Sequence, residues 1–332
     1  MTSSTPRPKT MQAWFAQNYG GPEVLTLQEQ PLPVPGDNEV LVKIYATTVS
    51  SGDARVRALN MPQGFKLIGR LALGLTRPRQ PILGTDLAGT VQSVGKNVTS
   101  FKPGDAVVAF PGTAMRCHAQ YRVVSVKKPI ALMPAMLSFE EAASMLFGGT
   151  TALHFLRKAR VVAGDRVLVI GASGAVGSAC IQVARHLGAS VTGITSGTNV
   201  ELVQSLGPNV VIDYTLHDFT QSPETYDVII DTVAASSFAA CRDKLNEHGR
   251  YVSVTGGLAE SLARSFGTKK PIGGPVPERP DDLQELMKLA ASGAFKPVID
   301  RTFRFDQMVE AHAHVDTGRK RGSVVVTNIH NQ

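Results

Sequence analysis

Three glycines spaced three residues apart strongly limit what this chain can fold into. Gly171, Gly174 and Gly177 follow the predicted strand 166–170, with its apolar run 167–170, and stand at the start of a predicted helix over residues 175–187. In a strand–turn–helix unit, the first glycine makes the tight turn, the second admits a pyrophosphate, and the third lets helix and strand pack closely. The free N–H groups at the helix start favour bound phosphate. The motif therefore predicts dinucleotide binding, and the alternative is a glycine-rich turn with a structural role alone.

Strands and helices alternate over residues 129–272, the part of the chain around this motif. Continuous apolar runs such as residues 167–170 and 228–230 are typical of parallel strands that are covered on both faces. We therefore expect a doubly wound parallel sheet, the Rossmann arrangement, in this region. The predicted strands are 166–170, 190–194, 210–212, 226–231 and 250–254, and the predicted helices are 175–187, 199–206 and 238–246.

Residues 1–128 have a different pattern, in which short β runs alternate with Gly- and Pro-containing turns. This pattern predicts a compact all-β barrel. Within it, residues 55–79 are basic and apolar without a clear period, and we interpret them as a loop with a helical piece in the position of a lid. Residues 273–332 follow a break rich in Gly and Pro and are expected to return to the barrel domain. The predicted fold class is α/β, with a Rossmann domain and a β-barrel domain.

The composition argues against several classes of protein. The three cysteines have no paired spacing, so they predict neither a disulfide framework nor a zinc cluster. The net charge is +7, but the basic residues are dispersed, so nucleic-acid binding is not expected. No apolar run reaches the length of a membrane span, and residues 1–10 lack the apolar core of a signal peptide. We expect a cytoplasmic protein that binds neither nucleic acid nor membranes.

The turn after the second predicted Rossmann strand bears on the choice of dinucleotide. NAD-binding proteins commonly have a carboxylate about 20 residues after the glycine motif, where it binds the ribose hydroxyls. Here Ser196 and Thr198 occupy that turn, and the first acid is Glu201. Hydroxyl groups leave space and donors for a 2′-phosphate, which a carboxylate would repel, so the turn predicts NADPH. However, no Lys or Arg occurs between Arg185 and Arg242, and the alternative is an ordinary polar turn.

With these motifs, the chain resembles the medium-chain dehydrogenase/reductase superfamily over nearly its full length. The resemblance implies a GroES-like barrel and, through the segments around Ser196 and Tyr214, the group of zinc-free quinone oxidoreductases and alkenal/enone reductases. The segments that carry it are 22–25, 83–91, 101–107, 146–153, 171–177, 195–202, 211–215 and 321–326.

The zinc alcohol dehydrogenases of the same superfamily provide a residue-by-residue comparison. The resemblance places Ser50 at their Cys ligand, and it places Thr85 and Asp86 at their His-Glu pair. Neither Ser50 nor Thr85 is a suitable zinc ligand. Oxidation of an alcohol is difficult without a Lewis acid, whereas a conjugated C=C bond or a quinone is already electrophilic. We therefore expect no metal, and a reduction rather than an alcohol oxidation.

The resemblance also implies roles for individual residues. Ser50 and Asp53 correspond to the Asn-x-x-Asp motif of quinone reductases, with Ser in place of Asn, and Thr150 would lie near the nicotinamide. These three are the candidate catalytic residues, although Asp53 and Thr150 are also interpretable as helix caps, and Asp53 as an ion-pair partner. The residues implied to contact the cofactor are Thr150, Gly171, Ser173, Gly174, Ala175, Val176, Gly177, Ser196, Thr198, Tyr214, Thr232, Val233, Thr255, Gly256, Gly257, Gly322 and Ser323.

Two further groups of residues are interpreted as structural. His312 and His314 are two residues apart on a predicted helix, so they do not share a face and are assigned to packing or solvent rather than to a metal. The basic run Arg319 to Arg321 is interpreted as a solvated turn that precedes the cofactor-contacting tail.

The sequence thus predicts an NADPH-dependent, zinc-free reductase of quinones or α,β-unsaturated carbonyls. The alternatives are a zinc-free alcohol dehydrogenase and a non-catalytic dinucleotide-binding protein. In relatives, a late Rossmann strand pairs with its copy in a second subunit. The matching residues 270–277 contain three prolines and two glycines, which make a poor pairing edge. We expect a monomer or a loosely associated homodimer.

Overall fold

The computed structural model describes residues 8–61, 64, 66–257 and 263–327. It confirms the predicted α/β class: a parallel sheet with helices is joined to a mainly antiparallel barrel sheet. The strands are β1 Thr10–Ala16, β2 Leu25–Pro31, β3 Glu39–Val49, β4 Leu87–Val94, β5 Ala106–Ala109, β6 Tyr121–Ser125, β7 Ile130–Leu132, β8 Arg166–Ile170, β9 Ser190–Thr195, β10 Val210–Asp213, β11 Tyr226–Asp231, β12 Leu245–Ser253, β13 Lys270–Ile272, β14 Ile299–Arg304 and β15 Ser323–Thr327. The helices are α1 Ser51–Ala58, α2 Lys66–Leu73, α3 Phe139–Lys158, α4 Ala175–His186, α5 Val200–Ser205, α6 Phe238–Cys241, α7 Pro280–Ala291 and α8 Met308–Asp316.

The parallel sheet has the strand order β10-β9-β8-β11-β12-β13. Its first strand in the chain, β8, lies in the middle, so the chain moves outward on one side through β9 and on the other through β11. This is the strand order of a doubly wound dinucleotide-binding sheet. The apolar runs 167–170 of β8 and 228–230 of β11 are buried, as expected of central strands that helices cover on both faces.

The barrel sheet has the order β14-β15-β3-β4-β5-β7, and β6 also pairs with β3. Its two last strands come from the C-terminal segment: β15 pairs antiparallel with β3, and β14 pairs parallel with β15. The C-terminal strands β14 and β15 therefore belong to the barrel sheet. The helix α7 instead packs on α3, within the apolar core that contains the parallel strands. The domain limits at residues 128 and 272 stay predictions.

The long helix α3 connects the two sheets. It begins at a capping box in which the Ser138 hydroxyl accepts from Glu141 N and the Glu141 carboxylate accepts from Ser138 N, the arrangement that its sequence predicts. Thirteen of its residues are buried, and it packs against α4, α7 and the barrel strands β3 and β15. This helix holds the barrel and the Rossmann sheet in one continuous core.

Two predicted elements differ from the structure. The predicted helix 238–246 ends at Cys241, and Leu245 already begins strand β12, because Leu245 to Ser253 add to the edge of β11. The predicted lid, 55–79, contains the end of α1 and the whole of α2 rather than a single helical piece, and its residues 62, 63 and 65 lie outside the described residues. Residues 1–7, which include most of the segment tested for a signal peptide, also lie outside. Within the described part of the chain, no helix is long and apolar enough to cross a membrane.

Candidate cofactor and active site

A cavity of about 1020 Å³ opens at the carboxyl ends of β8, β9 and β11. This is the edge of a doubly wound sheet where ligands bind, next to the point at which the strand order reverses. Of the residues predicted to bind the cofactor, Gly171, Ser173, Gly174, Ser196, Thr198, Tyr214 and Val233 line it. The other lining residues are Ile170, Ile194, Thr195, Asn199, His217, Asp218, Phe219, Ala235, Ser236, Gly318, Arg319, Lys320 and Arg321.

The glycine motif has the geometry that the sequence predicts. Gly171 has a φ of +80°, the left-handed conformation that favours glycine. A Cβ on Gly177 would lie 2.1 Å from Gly171 O, so only glycine allows α4 to approach β8 this closely. At Gly174, the nearest atom to such a Cβ is 3.5 Å away. Packing inside the protein therefore requires glycine at 171 and 177 but not at 174.

Gly174 is the N-cap residue of α4 and provides no side chain to cap it. The first turn of α4 therefore has N–H groups that no cap side chain satisfies, at the positive end of the helix dipole. An anion bound there would receive these N–H groups as donors. The cavity and this helix start fit the pyrophosphate of a dinucleotide.

The turn after β9 forms a second polar region of the cavity. Ser196 Oγ lies 3.3 Å from Thr198 Oγ1. Asn199 Nδ2 donates to Ser196 Oγ and to Ser173 Oγ, each at 3.2 Å. Asn199 thus connects this turn to the glycine loop, a role that the sequence analysis did not assign. These contacts bring the predicted pyrophosphate site and the predicted 2′-phosphate site side by side.

A carboxylate from the next strand also lies beside this turn. A Cβ on Gly197 would be 2.6 Å from Asp213 Oδ2. The Asp213 carboxylate accepts from Thr215 N at 2.9 Å and from Thr215 Oγ1 at 2.7 Å, and these hydrogen bonds lower its pKa. The acid is therefore charged at neutral pH. The turn itself contains no acid, and Asp213 could not be found from the residues of the turn because it arrives from β10.

The C-terminal segment crosses the glycine loop. Gly322 N donates to Ser173 O at 2.8 Å, and Gly322 forms a parallel bridge with Gly174. The three basic residues just before Gly322, from Arg319 to Arg321, consequently line the cavity. Burial lowers the pKa of Lys320 to about 8, and its amine donates to Gly322 O at 2.8 Å. Arg319 and Arg321 are exposed, which agrees with the interpretation of this run as a solvated turn, whereas Lys320 is only partly exposed.

Several predicted cofactor contacts lie outside the residues that line the cavity. Thr150 is buried in the middle of α3, and its hydroxyl donates to Leu146 O at 2.7 Å, so its alternative reading as a helix cap is wrong. Thr232 Oγ1 donates to Ile170 O at 2.9 Å, and Ser323 Oγ donates to Ser144 O at 2.6 Å. The others in this group are Ala175, Val176, Gly177, Thr255, Gly256, Gly257 and Gly322.

The candidate catalytic pair Ser50 and Asp53 forms a capping box at the start of α1. Ser50 Oγ donates to Asp53 Oδ2 at 2.6 Å, and Asp53 N donates back to Ser50 Oγ at 3.1 Å. The second carboxylate oxygen of Asp53 accepts from Gly84 N at 2.9 Å. Both residues are buried, and these contacts agree with the interpretation of Asp53 as a helix-cap residue. The hydroxyl hydrogen of Ser50 is already used within the protein.

A second buried acid lies at the start of β4. Asp86 accepts from Thr48 N at 2.8 Å and from Thr48 Oγ1 at 2.6 Å. Burial, the largest effect, raises the pKa of Asp86 to about 8. Asp86 is therefore mainly protonated at neutral pH. The neighbouring position, Thr85, is also buried.

Two buried histidines pack nearby in the barrel domain, a pairing that the sequence analysis missed. The rings of His118 and His312 make an edge-to-face contact with centroids 5.3 Å apart. Burial lowers the pKa of both, so the pair is neutral at pH 7. His314 Nε2 instead lies 2.6 Å from Asp300 Oδ2. His312 and His314 therefore have different neighbours, as their spacing predicts. Within the described ranges, no group of three His, Cys, Asp or Glu side chains is placed to hold a metal ion.

Comparisons with known proteins agree with this architecture. Residues 36–163 match the family model for the alcohol dehydrogenase GroES-like domain, and residues 206–326 match the model for zinc-binding dehydrogenases. The chain is 34% identical over 331 residues to a 2-methylene-furan-3-one reductase of Solanum lycopersicum. This alignment covers 96% of this chain and 79% of that protein. It is 32% identical to a chloroplastic NADPH-dependent alkenal/one oxidoreductase of Arabidopsis thaliana, with 98% of this chain and 82% of that protein covered. The solved structure of a quinone oxidoreductase from Coxiella burnetii superposes with a TM-score of 0.85 at 30% identity and covers 97% of this chain and 100% of that one.

Proposed function

The chain belongs to the medium-chain dehydrogenase/reductase superfamily, and we propose that within it the protein is a zinc-free, NADPH-dependent reductase of quinones or α,β-unsaturated carbonyls. The observation that carries the proposal is the cavity at the ends of β8 and β9. It combines a glycine loop for the pyrophosphate with a turn in which Ser196 and Thr198 stand where an NAD-binding protein would have a carboxylate. Relatives named as alkenal/one and furanone reductases support the substrate class.

The cofactor residues have separate roles in this proposal. The start of α4 holds the pyrophosphate through its free N–H groups, while Ser196 and Thr198 receive the 2′-phosphate. Tyr214, which is 60% exposed at the mouth of the cavity, packs against the adenosine. When bound, NADPH supplies a hydride to the electrophilic carbon of the substrate. The protein positions the two reactants and excludes water from between them.

We propose that the protein binds no zinc because of the residues at the family's ligand positions. The Ser50 hydroxyl is occupied by Asp53, and both carboxylate oxygens of Asp86 are occupied by Thr48. Thr85 provides only a neutral hydroxyl, which is a poor zinc ligand. A substrate that is already conjugated needs no Lewis acid to become electrophilic. Because the Ser50 hydrogen is donated to Asp53, we propose that solvent supplies the proton that completes the reduction.

The proposed assembly is a monomer or a weak homodimer. The edge strand of the parallel sheet, β13, has only three residues, and Pro271 at its centre has no N–H to donate to a second chain. Light scattering at micromolar concentration tests this, because a mass of two chains that survives dilution would contradict it.

A substrate panel tests the proposed activity. The purified protein is mixed with NADPH and one of a set of quinones, enals and cyclic enones, and the loss of NADPH absorbance is followed. Simple alcohols with NADP⁺ form the second arm. We expect turnover in the first arm and none in the second. Turnover of alcohols alone would indicate an alcohol dehydrogenase, and binding of NADPH without any turnover would indicate a non-catalytic binding protein.

A further inference from the structure

The predicted 2′-phosphate site has no cation of its own. No Lys or Arg lies between Arg185 and Arg242, so the Rossmann strands that form the turn cannot provide one. The charged carboxylate of Asp213 lies beside Gly197 of the turn. Two hydroxyl groups next to a carboxylate would hold a phosphate dianion poorly, because the carboxylate and the phosphate are both negatively charged and repel each other. A positive charge from elsewhere in the chain is needed.

The C-terminal segment brings such charges to the cavity. Gly322 N donates to Ser173 O, and Asn199 connects Ser173 Oγ to Ser196 Oγ. Gly322 is therefore connected to Ser196 through two hydrogen-bonded residues, Ser173 and Asn199. Arg319 lies three residues before Gly322, a distance that the backbone and a long guanidinium side chain span easily. Arg319, Ser196 and Thr198 line the same cavity.

We propose that Arg319 supplies the missing cation and forms, with Ser196 and Thr198, a site for the 2′-phosphate monoester of NADPH. The inference rests on the proposed function, since it concerns the phosphate that distinguishes NADPH from NADH. It goes beyond the glycine motif because the discriminating charge comes from the C-terminal segment rather than from the Rossmann strands. A guanidinium group is suited to this task because its planar donors pair with two phosphate oxygens.

The neighbouring basic residues have other contacts. The amine of Lys320 donates to Gly322 O, which holds it near the glycine loop and the pyrophosphate. Arg321 lies 3.7 Å from Asp300. In the described part of the chain, Arg319 is exposed and has no ion-pair partner, and its only hydrogen bond joins its backbone N to Thr317 Oγ1. Its guanidinium is available to a ligand.

Titration calorimetry with two cofactor fragments tests the proposal without catalysis. Adenosine 2′,5′-bisphosphate contains the 2′-phosphate, whereas adenosine 5′-monophosphate lacks it. We expect Arg319→Gln to weaken binding of the bisphosphate about tenfold or more, the size of a charge-assisted hydrogen bond. Binding of the monophosphate should stay within about twofold of wild type. Arg301→Gln, which removes the same charge from an exposed position on β14 outside the cavity, should change neither.

Several outcomes would overturn the proposal. An equal loss of affinity for both fragments would assign Arg319 to the 5′-phosphate. No loss of affinity for either would show that Arg319 does not contact the phosphates. If His217→Gln, which changes another side chain lining the cavity, removed the discrimination while Arg319→Gln kept it, the imidazole would be the phosphate ligand. Measurements on the wild-type protein distinguish a failure of this inference from a failure of the proposed function. A wild type that reduces enones with NADPH, together with an unaffected Arg319→Gln, would contradict the inference alone. A wild type that binds both fragments equally would contradict the NADPH preference as well.

Discussion

The backbone N–H of Gly322 donates to the carbonyl of Ser173 at 2.8 Å and thereby attaches the C-terminal segment to the glycine loop. The two residues are far apart in sequence: Gly322 immediately precedes the barrel strand β15, and Ser173 lies in the turn before α4. The start of the barrel strand β15 is therefore next to the predicted phosphate site. In our account, both sheets contribute to the same cofactor pocket.

The two glycines Gly174 and Gly177 should respond differently to alanine. A methyl group at Gly177 would lie 2.1 Å from Gly171 O, so Gly177→Ala should lower the free energy of unfolding by about 1–3 kcal/mol. At Gly174 the methyl group makes an ordinary contact of 3.5 Å, so Gly174→Ala should change the stability by less than about 1 kcal/mol. It should nevertheless weaken NADPH binding about tenfold, because the methyl group occupies the space of the pyrophosphate.

Urea unfolding and NADPH titration of both variants measure these effects. If Gly174→Ala bound NADPH as tightly as wild type, the glycine loop would be a structural turn rather than a phosphate site.

Introducing a charge at Ser196 should alter cofactor choice. Ser196→Asp places a carboxylate where we expect the 2′-phosphate, so the preference for NADPH over NADH, about tenfold or more in the wild type, should disappear or reverse. Ser196→Asn is the matched control because it has the same shape as Asp without the charge, and it should keep most of the preference. The measurement is kcat/KM for the two cofactors with one enone. Equal use of both cofactors by the wild type would show that this turn has been misread.

The buried carboxyl of Asp86 should make stability depend on pH. Its pKa is about 8 in the folded protein and close to the ordinary value of 3.8 in the unfolded chain. Between these values the folded state binds the extra proton, so the free energy of unfolding falls as the pH rises, by at most about 1.4 kcal/mol per pH unit. Asp86→Asn keeps an acceptor for Thr48 but does not titrate. Subtracting its unfolding free energy from that of wild type at pH 5, 6.5 and 8 cancels the contributions of other groups, and parallel curves would refute a raised pKa.

Metal content provides a separate test of the zinc-free proposal. Since Ser50 and Thr85 stand at the family's ligand positions, elemental analysis of the purified protein should find well below one zinc ion per chain. Prolonged incubation with a chelator should leave NADPH turnover intact. Stoichiometric zinc that is lost together with activity would contradict the proposal.

The parts of this structure that were predictable from sequence depend on local pattern. The glycine spacing identified the turn between β8 and α4, in which packing requires glycine at positions 171 and 177. The capping box of Ser138 marked the start of α3, and the apolar runs marked the central strands. These signals are confined to a few neighbouring residues, so a single sequence is enough to read them.

The missed features depend on residues that are distant in sequence. Asp213 reaches the Ser196 turn only because β10 lies beside β9 in parallel register. Arg319 reaches the same cavity only because β15 joins the barrel sheet and places Gly322 on Ser173. The pairing of His118 with His312 likewise requires the C-terminal helix α8 to pack in the barrel domain. Charge and spacing along the chain give no sign of these contacts.

The fate of the transferred hydrogen tests the central claim most directly. The protein is incubated with an enone from the substrate panel and NADPH that carries deuterium at the transferable position, and the product is analysed by mass spectrometry and NMR. Our account predicts a saturated ketone with one deuterium on the β-carbon and a solvent-derived hydrogen on the α-carbon. Deuterium on the carbonyl carbon of an alcohol product, or a saturated product without deuterium, would contradict it.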